Sequence, residues 1–239
     1  MSRALVTGGS GTIGGAIACT LAAMGHHVYV HAHGQLARAE EVTAAIVAAG
    51  GAAEVVRFDI TNAAQTEQAL AQMLAMGPIQ ILVNNAGIHD DAVMPGMRQA
   101  QWTSVIDVSL NGFFNVTQPL LLPMIRTRWG RIINISSVAA VMGNRGQANY
   151  AAAKAGLHGA ARSLALELAS RGITVNTVAP GIIASPATET VFPKEVIKEL
   201  VPMQRAGQPE EVADLVAFLA SERASYISGQ LISINGAMA

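Results

Sequence analysis

From end to end the chain alternates short β-branched runs with longer Ala/Leu-rich stretches, and few folds accept that rhythm. Ala4–Thr7, Val28–His31, Glu54–Phe58, Ile79–Asn84, Arg131–Ser136, Thr174–Ala179 and Leu231–Ile234 read as strands. Between them, Ile13–Met24, Ala37–Ala49, Ala63–Ala75, Gln99–Arg126, Asn149–Ser170 and Glu210–Leu219 carry apolar residues at three- and four-residue intervals, the period of a helix with one buried face. Gly25, Gly50, Gly77 and Gly172 mark helix exits. Strands that are apolar throughout need cover on both faces, which parallel strands joined by crossover helices provide. The expected fold is α/β: one domain over residues 1–239, a doubly wound parallel sheet of about seven strands with helices on both faces. Such a sheet opens a crevice beyond its strand C-termini, where ligands bind.

Two features point into that crevice. The run Ile132-Ile-Asn-Ile-Ser-Ser137 is a buried-strand pattern ending in hydroxyls, and Tyr150 and Lys154 follow it four residues apart. On a helix that spacing puts both side chains on one face. A tyrosine is a poor acid or base near neutrality, with an ordinary pKa of about 10, and a neighbouring ammonium favours its phenolate. Ser137 is placed to hold a carbonyl oxygen. An amphipathic surface pair explains Tyr150 and Lys154 equally well if they are taken alone. The second feature is Thr7-Gly-Gly-Ser-Gly-Thr-Ile-Gly14, between the first strand and the first helix, where backbone amides and the positive helix end suit a phosphate. Alone it is also ordinary strand-to-helix punctuation.

Composition narrows the partners. A formal net charge of −1 and a pI near 6.6 give no field that would draw the chain onto nucleic acid or an anionic membrane. Apolar runs such as Ile79 to Val83 are strand-sized, far short of the ~20 residues that span a bilayer, and the run Met-Ser-Arg-Ala-Leu-Val-Thr-Gly, leading straight into a strand and glycine loop, gives the expectation of no signal peptide. A cytoplasmic location is expected. Cys19 is the only cysteine, so no intrachain disulfide forms, and it reads as part of a packed helix face. The six histidines lack metal-ligand spacing with carboxylates, so no metal is expected, and Met73, Met76, Met94 and Met97 read as core or pocket filler. With 51% hydrophobic and 13% charged residues, the chain is apolar enough to imply subunit interfaces.

Taken in order, Thr7–Gly14, Asn84-Asn-Ala-Gly87, Asn111, Ser137, Tyr150-Ala-Ala-Ala-Lys154 and Asn176-Thr-Val-Ala-Pro-Gly181 resemble the motifs of the short-chain dehydrogenase/reductase family over essentially the whole chain. The resemblance implies a Rossmann-type fold and a nicotinamide cofactor. It makes Tyr150 the proton donor to a substrate carbonyl, Ser137 the hydroxyl that positions the oxygen, Lys154 both ribose ligand and tyrosine activator, and Asn111 the extension of the proton relay. Cofactor contacts are expected from Gly8, Ser10, Gly11, Thr12, Ile13 and Gly14, from Asp59 and Ile60 near the adenine, and from Asn85, Ala86 and Gly87. Pro180, Gly181 and Ile183 are expected beside the nicotinamide. Thr12 stands where the family loop usually has its middle glycine, which leaves either a shifted loop or a simple replacement. Ala32 stands where an acid would accept a bond from the adenosine ribose, so NADPH/NADP is favoured over NADH, with His33 and Arg38 as candidate phosphate neighbours.

Within the family the chain is most similar to 3-oxoacyl-acyl-carrier-protein reductases, judged from Val141–Tyr150, Ser170–Asn176 and Gly229–Gly236. That subgroup reduces a β-keto thioester on an acyl carrier protein, in fatty-acid or in specialised polyketide or aryl-polyene-type elongation. Arg128 and Arg171 match its carrier-contacting arginines. A dehydrogenase for small alcohols, sugars or steroids is the alternative on the same scaffold, and a non-catalytic nucleotide-binding scaffold the remote one. Family members commonly form tetramers through the two long helices, so a homotetramer or homodimer is expected. Residues 184–198 lack clean periodicity and read as a mobile lid over the substrate pocket.

Overall fold

The computed structural model describes residues 2–239, apart from the side chains of residues 187 and 189. The first half runs β1 (Arg3–Val6), α1 (Thr12–Ala23), β2 (His27–Ala32), α2 (Leu36–Ala48), β3 (Ala52–Arg57), α3 (Ala63–Ala75) and β4 (Ile79–Asn84). Then come α4 (Gln99–Ile106), α5 (Gly112–Thr127), β5 (Gly130–Ile135), α6 (Ala139–Met142), α7 (Ala148–Leu168) and β6 (Ile173–Pro180). The chain finishes with α8 (Pro186–Val191), α9 (Lys194–Leu200), α10 (Pro209–Ala220) and β7 (Leu231–Ile234).

All the strand pairings are parallel, in the order β3-β2-β1-β4-β5-β6-β7. Successive residues of the central strands feed two different cores, which is why those strands are apolar at nearly every position. Leu5, Leu82, Ile132 and Val175 pack with Leu70, Val116, Leu120 and Leu168 of α3, α5 and α7. Val6, Val83, Ile133 and Val178 pack with Ile17, Leu21, Val212 and Val216 of α1 and α10 on the other face. The reversal of strand order falls between β1 and β4, and the crevice opens at their C-terminal ends.

Gly25, Gly50, Gly77 and Gly172 all have positive φ, as helix exits require. Two segments depart from the sequence expectation. Gln99–Arg126 is not one helix: a π-helical turn at Asp107–Asn111 separates α4 from α5. Residues 184–198 are mostly helical: Ser185 caps α8 by accepting from the Thr188 amide, Pro186 occupies its first turn, and α9 follows. A six- and a seven-residue helix are too short to display a period, although the Ser-Pro start was a readable signal. Cys19 is exposed, and so are Met76 and Met94; of the methionines read as filler, Met73 is in the core.

Candidate active site

A cleft of about 630 Å³ runs across the C-terminal ends of β1, β4, β5 and β6, within the range of roughly 300–1,000 Å³ usual for small-molecule sites. Ser10–Gly14 line one side, Asn85–Gly87 and Ser136–Ala139 the floor, and Pro180–Ser185 with Thr188, Phe192 and Leu200 the roof. A second cavity of about 490 Å³, beside β7, is lined by Val201, Met203, Ser233 and the Arg205–Glu211 ion pair, and holds no tyrosine or lysine among the described residues.

The glycine loop is bolted to the neighbouring strand end. Thr7 Oγ1 accepts from the amides of Asn85 (3.0 Å) and Ala86 (3.1 Å), and Asn85 Nδ2 donates to the carbonyls of Thr7 and Gly8. Gly8 has φ +64°, and a side chain on Gly14 would run into the Gly8 carbonyl oxygen. Gly11 is the N-cap of α1 with ordinary extended backbone and no side-chain cap, and no acid lies in the first turn. Its uncapped amides and the helix dipole therefore face the cleft, which fits a phosphate group. Thr12 occupies the first helical position and lines the cleft.

Beneath the loop lies His31, which was not anticipated as a site residue. It is buried, accepts from the Gly8 amide through Nδ1 (3.1 Å), and lies 2.9 Å through Nε2 from the Phe58 carbonyl. An Nε2–H tautomer satisfies both contacts, and burial holds the imidazole neutral by pushing its pKa down to about 4. Ala32 ends β2 and His33 and Arg38 are exposed just after it, leaving no carboxylate at the strand end. Asp59 lies beyond the end of β3 and is not the last strand residue; its carboxylate accepts from the Thr61 amide and hydroxyl, while Asn62 caps α3. Ile60 is buried against Gly112.

Ser137, Tyr150 and Lys154 all line the same cleft. Lys154 is 3% exposed and donates to the Ile135 carbonyl (2.9 Å); burial lowers its pKa to about 8. Its Nζ lies 5.9 Å from the Tyr150 ring centroid. The Tyr150 pKa is raised, contrary to the sequence expectation: burial dominates, with Ser137 working in the opposite sense and Asp91 adding to the rise. In the protein alone, Tyr150 is thus kept protonated, as a proton donor must be. Asn111 does not join this group. It is exposed at the end of the π-helical turn and donates to Asp107 Oδ1 (2.7 Å).

Two residues earlier, Ser109 faces inward instead. It is 3% exposed, and its hydroxyl has no hydrogen-bond partner among the described residues. A Cβ built on Gly87 would lie 3.6 Å from Ser109 Oγ and 3.0 Å from Lys154 Nζ, so the hydroxyl and the ammonium border the same position without bonding to each other. An unpaired buried hydroxyl beside a buried amine was the signal for this residue, and sequence alone does not show it. Pro180, Gly181 and Ile183 line the roof, whereas Arg128 and Arg171 lie elsewhere, before the first residues of β5 and β6.

A parallel, doubly wound sheet with a phosphate-ready loop and a Ser–Tyr–Lys cluster at one crevice defines an oxidoreductase scaffold. The family model for short chain dehydrogenases matches residues 2–196, and the chain belongs to that family. It is 46% identical over 237 residues to a Synechocystis 3-oxoacyl-acyl-carrier-protein reductase, covering 98% of this chain and 96% of the relative. Similar reductases from Aggregatibacter actinomycetemcomitans (43%; 98% of each chain) and Staphylococcus aureus strain Mu50 (44%; 98% and 97%) match over nearly their whole length.

Proposed function

We propose that the protein reduces a 3-oxoacyl thioester, carried by acyl carrier protein, to the 3-hydroxyacyl form with NADPH. The observation that carries this reading is the meeting of Ser137 and Tyr150 with a buried Lys154 in a cleft whose opposite side is an uncapped helix N-terminus. NADPH supplies a hydride when bound. The hydroxyls of Ser137 and Tyr150 donate to the substrate carbonyl oxygen, stabilising the developing alkoxide, and Tyr150 gives up its proton to that oxygen. The Lys154 ammonium stabilises the phenolate left behind and carries a ribose contact. Ser109, in place of Asn111, is the hydroxyl that continues the proton path behind Lys154. The absence of a carboxylate at Ala32, with exposed His33 and Arg38 adjacent, supports NADPH over NADH.

Carrier contact at Arg128 and Arg171 fits this chain in one way. The two residues cluster, Arg128 donating to the Ser170 carbonyl (3.0 Å), at the N-terminal ends of the strands. The cleft opens at the other end, about 20 Å away at roughly 3.3 Å per strand residue. A carrier seated on these arginines therefore serves the cleft of a neighbouring copy. Exposed Phe114 and Leu122 on α5 and Leu166 on α7, the last 85% exposed, support such an assembly through the two long helices, as a homotetramer or homodimer.

NADPH oxidation with a 3-oxoacyl thioester, followed optically, tests the reading. Tyr150→Phe should lower turnover by about 10²–10⁴ with NADPH binding retained; full turnover by that variant would refute the assigned acid.

A further inference from the structure

We propose that His89 is a specificity-determining residue whose ring forms a flat wall beside the reacting carbonyl and selects acyl chains that are planar and conjugated from C4 onward. The inference rests on the reductase reading above. The imidazole packs on the Tyr150 ring, with centroids 4.1 Å apart and planes 32° apart, on the aromatic ring whose hydroxyl meets the substrate. Its side chain is nonetheless 58% exposed and lines the cleft, so the surface not covered by Tyr150 faces the space that a bound chain would occupy.

The ring is held in place by its surroundings. Gln147 Nε2 donates to Asp91 Oδ2 (2.8 Å) and lies 3.4 Å from His89 Nδ1, while Asn144 steadies the Gln147 carbonyl oxygen. Asn149 Nδ2 donates to the Asp90 carbonyl (2.9 Å), Gln101 Nε2 to the Asp90 carboxylate (2.6 Å), and the Ala92 amide to the Gly146 carbonyl (2.9 Å). The loop carrying His89 is thereby pinned to the start of α7, the helix that carries Tyr150. Partial burial and the Lys154 charge lower the His89 pKa, against the pull of Asp91, so the wall is a neutral aromatic surface near neutrality.

Apolar side chains stand among uncharged polar ones, Asn144, Gln147, Ser185 and Thr188, in the rest of this half of the cleft. Met142, Phe192 and Leu200 line it, and Lys154 is the one Lys, Arg, Asp or Glu side chain on the lining among the described residues. A saturated chain would gain ordinary apolar contact there. A conjugated chain is flat and presents a π surface to the imidazole; taking that contact as comparable to an aromatic pair, which adds roughly 0.5–1.5 kcal/mol beyond area burial, gives a factor of about 2 to 12.

The test compares 3-oxoocta-4,6-dienoyl and 3-oxooctanoyl thioesters of N-acetylcysteamine, matched in length, in wild type and in His89→Phe, His89→Leu and His89→Gln. Conjugation alters the ketone's own reactivity equally in every variant, so the change in the kcat/KM ratio of the two substrates isolates the wall. Leu and Gln should lower the dienoyl-to-saturated ratio about 2- to 12-fold, mainly through KM, and Phe should keep it. Turnover of the saturated substrate reports that each variant is folded. A ratio that does not move in Leu and Gln, or a Phe variant that falls with them, overturns the proposal. Wild type that reduces neither thioester instead refutes the reductase reading.

Discussion

Replacing Lys154 with methionine separates what this residue does for the fold from what it does for chemistry. Its pKa falls from an ordinary 10.5 to about 8, which corresponds to about 3 kcal/mol against the charged form at neutral pH. Methionine fills much the same space and removes that cost, together with the hydrogen bond to the Ile135 carbonyl. The lost bond contributes a nearly pH-independent offset, so the dependence on pH is the diagnostic quantity. Between pH 8 and 10.5 the unfolded chain still binds the lysine proton while the folded one has released it. Unfolding therefore takes up a proton, and wild-type stability rises with pH across that window relative to the variant.

Urea unfolding of wild type and Lys154→Met, without nucleotide and at one protomer concentration, measures this difference. At pH 7 the full cost of the buried ammonium is present; by pH 10 most of the ~3 kcal/mol has been recovered by wild type. Groups remote from residue 154 titrate alike in both proteins and cancel in the comparison, and making both measurements in a Tyr150→Phe background removes the phenol next to the amine. Activity of the variant should be lost at every pH. Stability curves that run parallel from pH 7 to pH 10 would refute the burial argument for Lys154.

Two more perturbations follow from the same packing. Gly87→Ala would bring a Cβ to 3.0 Å from Lys154 Nζ and 3.3 Å from Cε, so the amine must give way; kcat should fall about tenfold or more with little change in the unfolding midpoint. His31 follows the same sign in a more acidic window: its pKa falls from 6.5 to about 4, so the unfolded state binds more protons between those values and stability drops as pH falls through them. Relative to His31→Leu, which has neither a titrating group nor an acceptor, wild type should lose up to about 3 kcal/mol between pH 6.5 and 4 in urea titrations, and the variant should show a raised KM for NADPH because the Gly8 amide loses its acceptor.

The strand and helix pattern was readable because each central strand feeds two cores, which forces an apolar residue at nearly every position and leaves no other sheet type available. The Ser137, Tyr150 and Lys154 placements were readable for a related reason: a strand end and an i, i+4 pair fix where side chains point. What sequence could not resolve is the direction of residues in the one helix that departs from regular geometry. The π-helical turn at Asp107–Asn111 inserts an extra residue into the helical register, so inward and outward positions no longer follow from a 3.6-residue period. Asn111, the better hydrogen-bonding side chain, is turned out to solvent and taken up by Asp107, and Ser109 is turned in toward Lys154. The same limit applies to electrostatics. Counting charges along the chain puts an ammonium beside a phenol and implies a lowered tyrosine pKa; the fold buries both groups, and desolvation raises one and lowers the other. A site of this kind brings together a donor kept protonated and an amine close to releasing its proton, and these opposed shifts arise from burial, which only the folded structure supplies.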